Sequence, residues 1–145
     1  MSTMSICEKI KRTGIGQYEV FERFDDVVGV RCTCEYLDDV YAVLNPMFNV
    51  IKIDDKIENP TQEEYRGIYV IVSTPIYYHK EVYDDVKVEI QLRTAFQNAW
   101  SMKMHQLTYK RDFIDSKEVK RVLRKLSDVL READETALEM KKISK

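Results

Sequence analysis

The stretch Val86-Lys87-Val88-Glu89-Ile90-Gln91-Leu92-Arg93, running without a break into Thr94-Ala95-Phe96-Gln97-Asn98-Ala99-Trp100 and on to Lys110, decides the fold class. Val86, Val88, Ile90 and Leu92 alternate with Lys87, Glu89, Gln91 and Arg93, which is the period of two of a strand with one buried face. Farther on, Trp100, Met104 and Leu107 recur at spacings of four and three, the stripe of a helix laid on a core. A strand thus feeds a helix directly, and its open face mixes acid, amide and base. A plain solvated strand has no need of that mixture.

Outward from this unit the chain alternates strands and helices, with no internal repeat and no low-complexity linker. Residues 27–34 read as a β-branched strand, 37–47 as a short helix with Val40, Val43, Leu44 and Met47 on one side, and 48–53 as a second strand. Residues 54–62 read as a loop. A third strand is expected over 65–74, closed by Pro75, then a polar hairpin connection over 77–85 and the fourth strand over 86–93. Near the start, residues 5–12 read as the end of a helix broken at Thr13-Gly14-Ile15-Gly16. From Asp115 a long terminal helix is expected, with Asp115 and Glu118 placed as a capping box. Its apolar positions Val119, Val122, Leu123, Leu126, Val129, Leu130, Ala133 and Leu138 follow helical spacing. The expected architecture is α+β: one domain over residues 1–145, built on a single mixed sheet of about four to five strands flanked by helices.

Composition narrows the class without naming a chemistry. A chain of 145 residues is enough for one core and too short for two of ordinary size. Charged residues make up 33% while the net charge is only −2, so no global positive field draws the protein to nucleic acid or to an anionic membrane. Any phosphate site must be local. With no signal peptide and no apolar run long enough to span a bilayer, the cytoplasm is the expected location. Cys7, Cys32 and Cys34 lack metal-ligand spacing, and Cys32 and Cys34 share a strand face as small buried hydrophobes.

The strand-to-helix unit resembles the E-I-Q-x-R-T and H-x-x-Y-K motifs of the RelA/SpoT nucleotide pyrophosphokinases, the alarmone synthetases. Asp26-Val27-Val28-Gly29-Val30-Arg31 is similar to the family's D-x-x-G-x-R strand. The stretch from Asn59-Pro60 to Tyr65-Arg66 is similar to its N/S-P-K-x-N-G-Y-R loop, and Ser5-Ile6-Cys7-Glu8-Lys9 to its S-I-x-x-K helix. The resemblance covers nearly the whole chain and implies a small, single-domain synthetase with a nucleotidyltransferase-like fold.

That resemblance implies transfer of pyrophosphate from ATP to the ribose 3′-hydroxyl of a guanine nucleotide, with Mg2+ held by hard oxygen ligands. Asp26 and Glu89 match the family's acidic pair: Asp26 coordinates the metal, and Glu89 either shares it or helps remove the proton of the attacking hydroxyl. Tyr65 matches the aromatic residue that stacks on guanine, with Arg93, His105 and Lys110 bordering the acceptor. Lys9 and Arg31 fall to the ATP side, Arg31 with a structural ion pair as the alternative. Where the family has lysine, asparagine, glycine and histidine around the tyrosine, this chain has Thr61, Glu63, Glu64 and Tyr69, with Asp54 in place of a base, so guanine nucleotide is expected to bind weakly. The family's R-x-K segment ahead of S-I-x-x-K has no counterpart after Met1, which leaves the expected ATP site incomplete or the natural start farther upstream. Homo-oligomers through the terminal helices are implied. Two other readings stay open: a relative that pyrophosphorylates a transfer RNA 3′ end, and a non-catalytic nucleotide-binding module.

Overall fold

The computed structural model describes residues 11, 13, 14, 25, 27–61, 64–108 and 117–144. Within these, β1 (Val28–Cys34), α1 (Leu37–Leu44), β2 (Val50–Asp55), β3 (Ile68–Tyr78), β4 (Glu81–Thr94), α2 (Ala95–Thr108) and α3 (Lys117–Ile143) follow one another. The four strands make one sheet in the order β1-β4-β3-β2. β4 pairs in parallel with β1, while β3 is antiparallel to both β4 and β2. This is the mixed α+β sheet expected from the order of elements, with the alternation along 86–93 setting which face of β4 is buried.

The period of two in β4 sorts the sheet into two faces. Val88 and Leu92 turn to the core with Ile68, Val70 and Val72 of β3 and Cys34 of β1, and Val40 from α1 covers them. Burial and the neighbouring Cys32 push the Cys34 thiol up to about 11, the behaviour of a buried apolar filler. α1 begins where the Tyr36 backbone N–H donates to Asp39 Oδ2 at 3.2 Å. From the far end of the chain, Lys141 of α3 reaches Asp38 and Asp39 at 2.8 and 2.6 Å and lies 4.6 Å from the Tyr36 ring centroid.

Several boundaries differ from the sequence expectation, each for a local reason. Phe48 is exposed and Asn49 takes a φ of 55°, so β2 starts only at Val50 and continues to Asp55. Asp55 ends it by accepting the Ile57 and Glu58 N–H groups at 2.8 and 3.1 Å. Pro75 does not close β3: it sits in a register irregularity between Thr74 and Ile76, where a missing N–H is tolerated. The expected polar connection over 77–85 is therefore mostly strand. Its turn is His79-Lys80, both at positive φ (48° and 69°), the backbone that a tight hairpin requires.

α2 starts at a capping box that the sequence contains and the pattern reading passed over. Thr94 Oγ1 accepts the Gln97 N–H at 3.1 Å, and Gln97 Oε1 accepts the Thr94 N–H at 3.0 Å. The same Thr94 hydroxyl donates to Asp134 Oδ2 of α3 at 2.8 Å. On α3, Leu123, Ser127 and Asp134 form the buried line. Val122 and Val129, expected among its packed positions, are instead 53% and 52% exposed. The expected cap at Asp115 lies outside the described residues.

Burial raises the Asp134 carboxyl pKa, Glu135 adds to the rise, and the Thr94 hydrogen bond opposes it. The folded state therefore holds a proton that the unfolded chain releases. The corresponding stability is fully present below the unfolded pKa and is lost as pH rises through the raised folded value. Asp134→Asn keeps the Thr94 contact and removes the charge. Its thermal midpoint at pH 7 is expected to exceed that of the wild type, with the gap closing toward pH 3; an equal or lower midpoint at pH 7 would count against a desolvated carboxylate.

Candidate active site

The second face of β4 carries the polar residues. Glu89 pairs across the sheet with Gly29 and Ile71, Gln91 with Arg31 and Tyr69, and Arg93 with Thr33, so their side chains project to one side. Gln91 is the hub. Its Oε1 accepts Arg31 Nε and Nη2 at 3.3 and 3.2 Å and Arg93 Nη2 at 2.9 Å. With both guanidinium groups on the carbonyl, the amide nitrogen is turned to Glu89 and donates to Oε1 at 2.7 Å. The carboxylate is thereby aimed by a neutral donor, with two fixed cations one residue-pair away. Arg31, exposed on β1, meets the Gln91 amide among the described residues.

Arg93 is only 2% exposed. Nη1 donates to Ser101 Oγ of α2 at 2.9 Å, Nη2 lies 3.5 Å from the Tyr69 hydroxyl, and the Arg93 guanidinium carbon sits 5.1 Å from the Tyr65 ring centroid. Arg93 thus ties strand, helix and aromatic group together. Arg31 is left as the guanidinium on the open side. His105 is exposed on α2, one turn beyond Ser101 along the same side of the helix.

Tyr65 precedes β3 and lies half-buried, its ring 5.5 Å from Tyr69 and 6.0 Å from Trp100, centroid to centroid. Its hydroxyl is buried with no hydrogen-bond partner among the described residues. Burial raises its pKa well above the ordinary tyrosine range; the nearby Tyr69 hydroxyl adds to this without completing a well-formed hydrogen bond, and Arg93 opposes it. Gly67, at φ 148°, allows this approach: a Cβ there would stand 2.6 Å from the Tyr65 hydroxyl and 3.2 Å from Arg93 Cγ. The sequence does not single out Gln91, Ser101 or Gly67 as site residues, because each has a contact that only the fold supplies: Arg31 of β1 for Gln91, and Arg93 of β4 for Ser101 and Gly67.

The substituted loop residues are largely occupied with one another. Thr61 builds the turn: its carbonyl accepts the Glu64 N–H at 2.9 Å and its Oγ1 the Tyr65 N–H at 3.1 Å. Glu64 lies 3.2 Å from Arg124 and 4.0 Å from Arg66, and Asp54 pairs with Lys56 at 2.9 Å. These acids therefore bring less net repulsion than their bare sequence suggests. Asp26, Lys9, Lys110 and Glu63 lie outside the described residues, while the neighbouring Asp25 pairs with Lys87 of β4 at 2.9 Å.

Among the described residues no three His, Cys, Asp or Glu side chains gather into a metal cage. Magnesium does not require one, since it takes one or two carboxylates together with water and substrate phosphates. Glu89, a half-buried carboxylate oriented through one oxygen, fits that donor chemistry. No helix among the described residues is long and apolar enough to cross a membrane.

A family model described as a region found in RelA / SpoT proteins matches residues 2–113. GTP pyrophosphokinase YwaC of Bacillus subtilis (strain 168) is 30% identical over 145 residues, covering 95% of this chain and 69% of its own length. Small alarmone synthetase 2 of Bacillus subtilis superposes with a TM-score of 0.85 at 29% identity, covering 98% of this chain and 77% of that one. Small alarmone synthetase 1 of the same organism, bound to its product pppGpp, gives 0.83 at 28% identity, covering 98% and 75%.

Proposed function

The chain belongs to the RelA/SpoT family, and from that premise we propose that it is a pyrophosphokinase transferring the pyrophosphate group of ATP to the 3′-hydroxyl of GDP or GTP to make (p)ppGpp. The observation that carries this reading is Glu89, oriented by the Gln91 amide that also accepts Arg31 and Arg93 on the polar sheet face, with the Tyr65 ring against Arg93. In the reaction the ribose 3′-oxygen bonds to the β-phosphorus of ATP, and the bond from that phosphorus to the α–β bridging oxygen breaks. AMP leaves. Glu89 takes the hydroxyl proton, and Arg31 and Lys9 are assigned to the donor triphosphate. Tyr65 supplies the face on which guanine stacks, and Arg93, His105 and Lys110 are assigned to the same acceptor. Magnesium, held by Asp26 and Glu89, would supply charge neutralisation at the phosphates.

The test is AMP release from labelled ATP with GDP, GTP and deacylated transfer RNA as separate acceptors. Release with GDP or GTP is expected. Release with transfer RNA alone would shift the acceptor to a nucleic acid end, and none at all would leave a nucleotide-binding module.

The cytoplasm is the proposed compartment, and a homo-oligomer the proposed assembly. Beside its buried line, α3 repeats Val122, Val129, Thr136 and Ile143 and, offset, Leu126, Ala133 and Met140 at sevenfold spacing. That is a coiled-coil seam with one polar step at Thr136, and Val122, Val129, Met140 and Ile143 of it are exposed. Light scattering is expected to give a multimer mass that Val129→Asp lowers; a wild-type monomer at micromolar concentration would remove the proposal.

A further inference from the structure

Glu64 stands where the family motif has glycine, and its backbone keeps the glycine conformation, φ 62°. A glutamate held there costs on the order of 1 kcal/mol or more, so something must hold it. The described contacts at this residue all come from its own turn and from α3. Ser127, 3% exposed, donates its hydroxyl to the Glu64 carbonyl at 2.8 Å. Arg124, nearly one turn earlier, meets the carboxylate at 3.2 Å. One full turn before Ser127, the Leu123 carbonyl accepts the Trp100 indole N–H at 3.3 Å, and Trp100 is the ring against which Tyr65 packs.

A cavity of about 170 Å³ lies directly beneath, lined in part by Glu64, Arg66, Gln97, Trp100, Ser127 and Asp134. Glu64 therefore borders unfilled space on the side of that cavity. Without the Ser127 contact, it has both a backbone preference for relaxing and room to do so.

We propose that Ser127 is a positioning residue for the acceptor nucleotide: by fixing the Glu64 carbonyl from α3, it holds the left-handed turn that sets Tyr65 between Trp100 and Arg93. This deepens the pyrophosphokinase reading and rests on it for the acceptor, though not for the turn. A feature that glycine provides by its own flexibility is supplied here by a hydroxyl from a distant helix.

Ser127→Ala is expected to raise KM for GTP about tenfold, as loss of one buried hydrogen bond would, with kcat and the KM for ATP within about twofold of wild type. Glu64→Gly placed in the Ser127→Ala background is expected to bring the GTP KM back, because glycine adopts positive φ without strain. A general loss of stability would raise neither KM selectively and would not be rescued at residue 64. Trp100 is the single tryptophan, so acrylamide quenching of its fluorescence reads the turn without any turnover. Quenching should increase in Ser127→Ala and return in the double variant. Unchanged quenching in Ser127→Ala, or a GTP KM that Glu64→Gly fails to restore, overturns the proposal. If the wild type releases no AMP with any guanine nucleotide, the pyrophosphokinase reading falls, and the Trp100 quenching alone still decides whether Ser127 holds the turn.

Discussion

Glu89→Gln is expected to reduce AMP release at least about a hundredfold, the usual scale for losing a general base or a metal carboxylate, while the protein stays folded. The substitution is nearly isosteric. Its amide oxygen can still accept the Gln91 N–H that now reaches Glu89 Oε1 at 2.7 Å, so the polar row along β4 has no reason to rearrange. What changes is charge. Arg31 and Arg93 both converge on Gln91 Oε1, and Glu89 is the anion next to them on the strand; with glutamine there, neither a proton acceptor nor a hard anionic ligand remains at that position. Labelled-ATP turnover alongside urea denaturation separates the two effects. A variant that keeps more than about a tenth of wild-type turnover would place the proton transfer elsewhere, and one that loses its cooperative unfolding would make the residue structural.

Much of this site was legible because it lies on one strand. Alternation alone assigned Val88 and Leu92 to the core and Glu89, Gln91 and Arg93 to the opposite face, since a period of two leaves no other choice once one face is buried. The helix following Thr94 was equally forced. The β3–β4 hairpin was legible, but its turn was not: His79-Lys80 turns at positive φ without the glycine or asparagine that usually marks such a turn, and Pro75 imitates a strand end while sitting at a bulge. Thr94-x-x-Gln97 is a capping signal of ordinary form, masked by its position in a motif read for chemistry. On α3, hydropathy favoured Val122 and Val129 over Ser127 and Asp134, whose burial depends on single hydrogen bonds to Glu64 and Thr94. Nothing in local sequence reports a partner 63 or 40 positions away. Arg93 likewise shows its contacts with Ser101, Tyr69 and Tyr65 only in the fold, because these partners come from other elements.

Gly67→Ala is expected to be the most destabilising single-methyl change near the site, by about 2–6 kcal/mol. Two costs combine. At φ 148° an L side chain is strained, at about 1–3 kcal/mol. The new methyl would also stand 2.6 Å from the Tyr65 hydroxyl and 3.2 Å from both the Tyr65 ring carbon that bears it and Arg93 Cγ, an overpacking of roughly 1–3 kcal/mol. The ring has little freedom to give way, with Tyr69 and Trp100 at 5.5 and 6.0 Å and Arg93 anchored to Ser101 and Gln91. If it does give way, the aromatic platform moves and the guanine-nucleotide KM rises with it. Tyr65→Phe separates the two costs, because it deletes the nearest oxygen, a buried hydroxyl with no hydrogen-bond partner among the described residues, and leaves the backbone strain untouched. In a urea-denaturation cycle, Gly67→Ala should therefore cost about 1 kcal/mol less in the Tyr65→Phe background than in the wild type. Strictly additive costs would mean that the contact with the hydroxyl contributes nothing and that backbone conformation, with the ring-carbon and Arg93 Cγ contacts, requires glycine at residue 67.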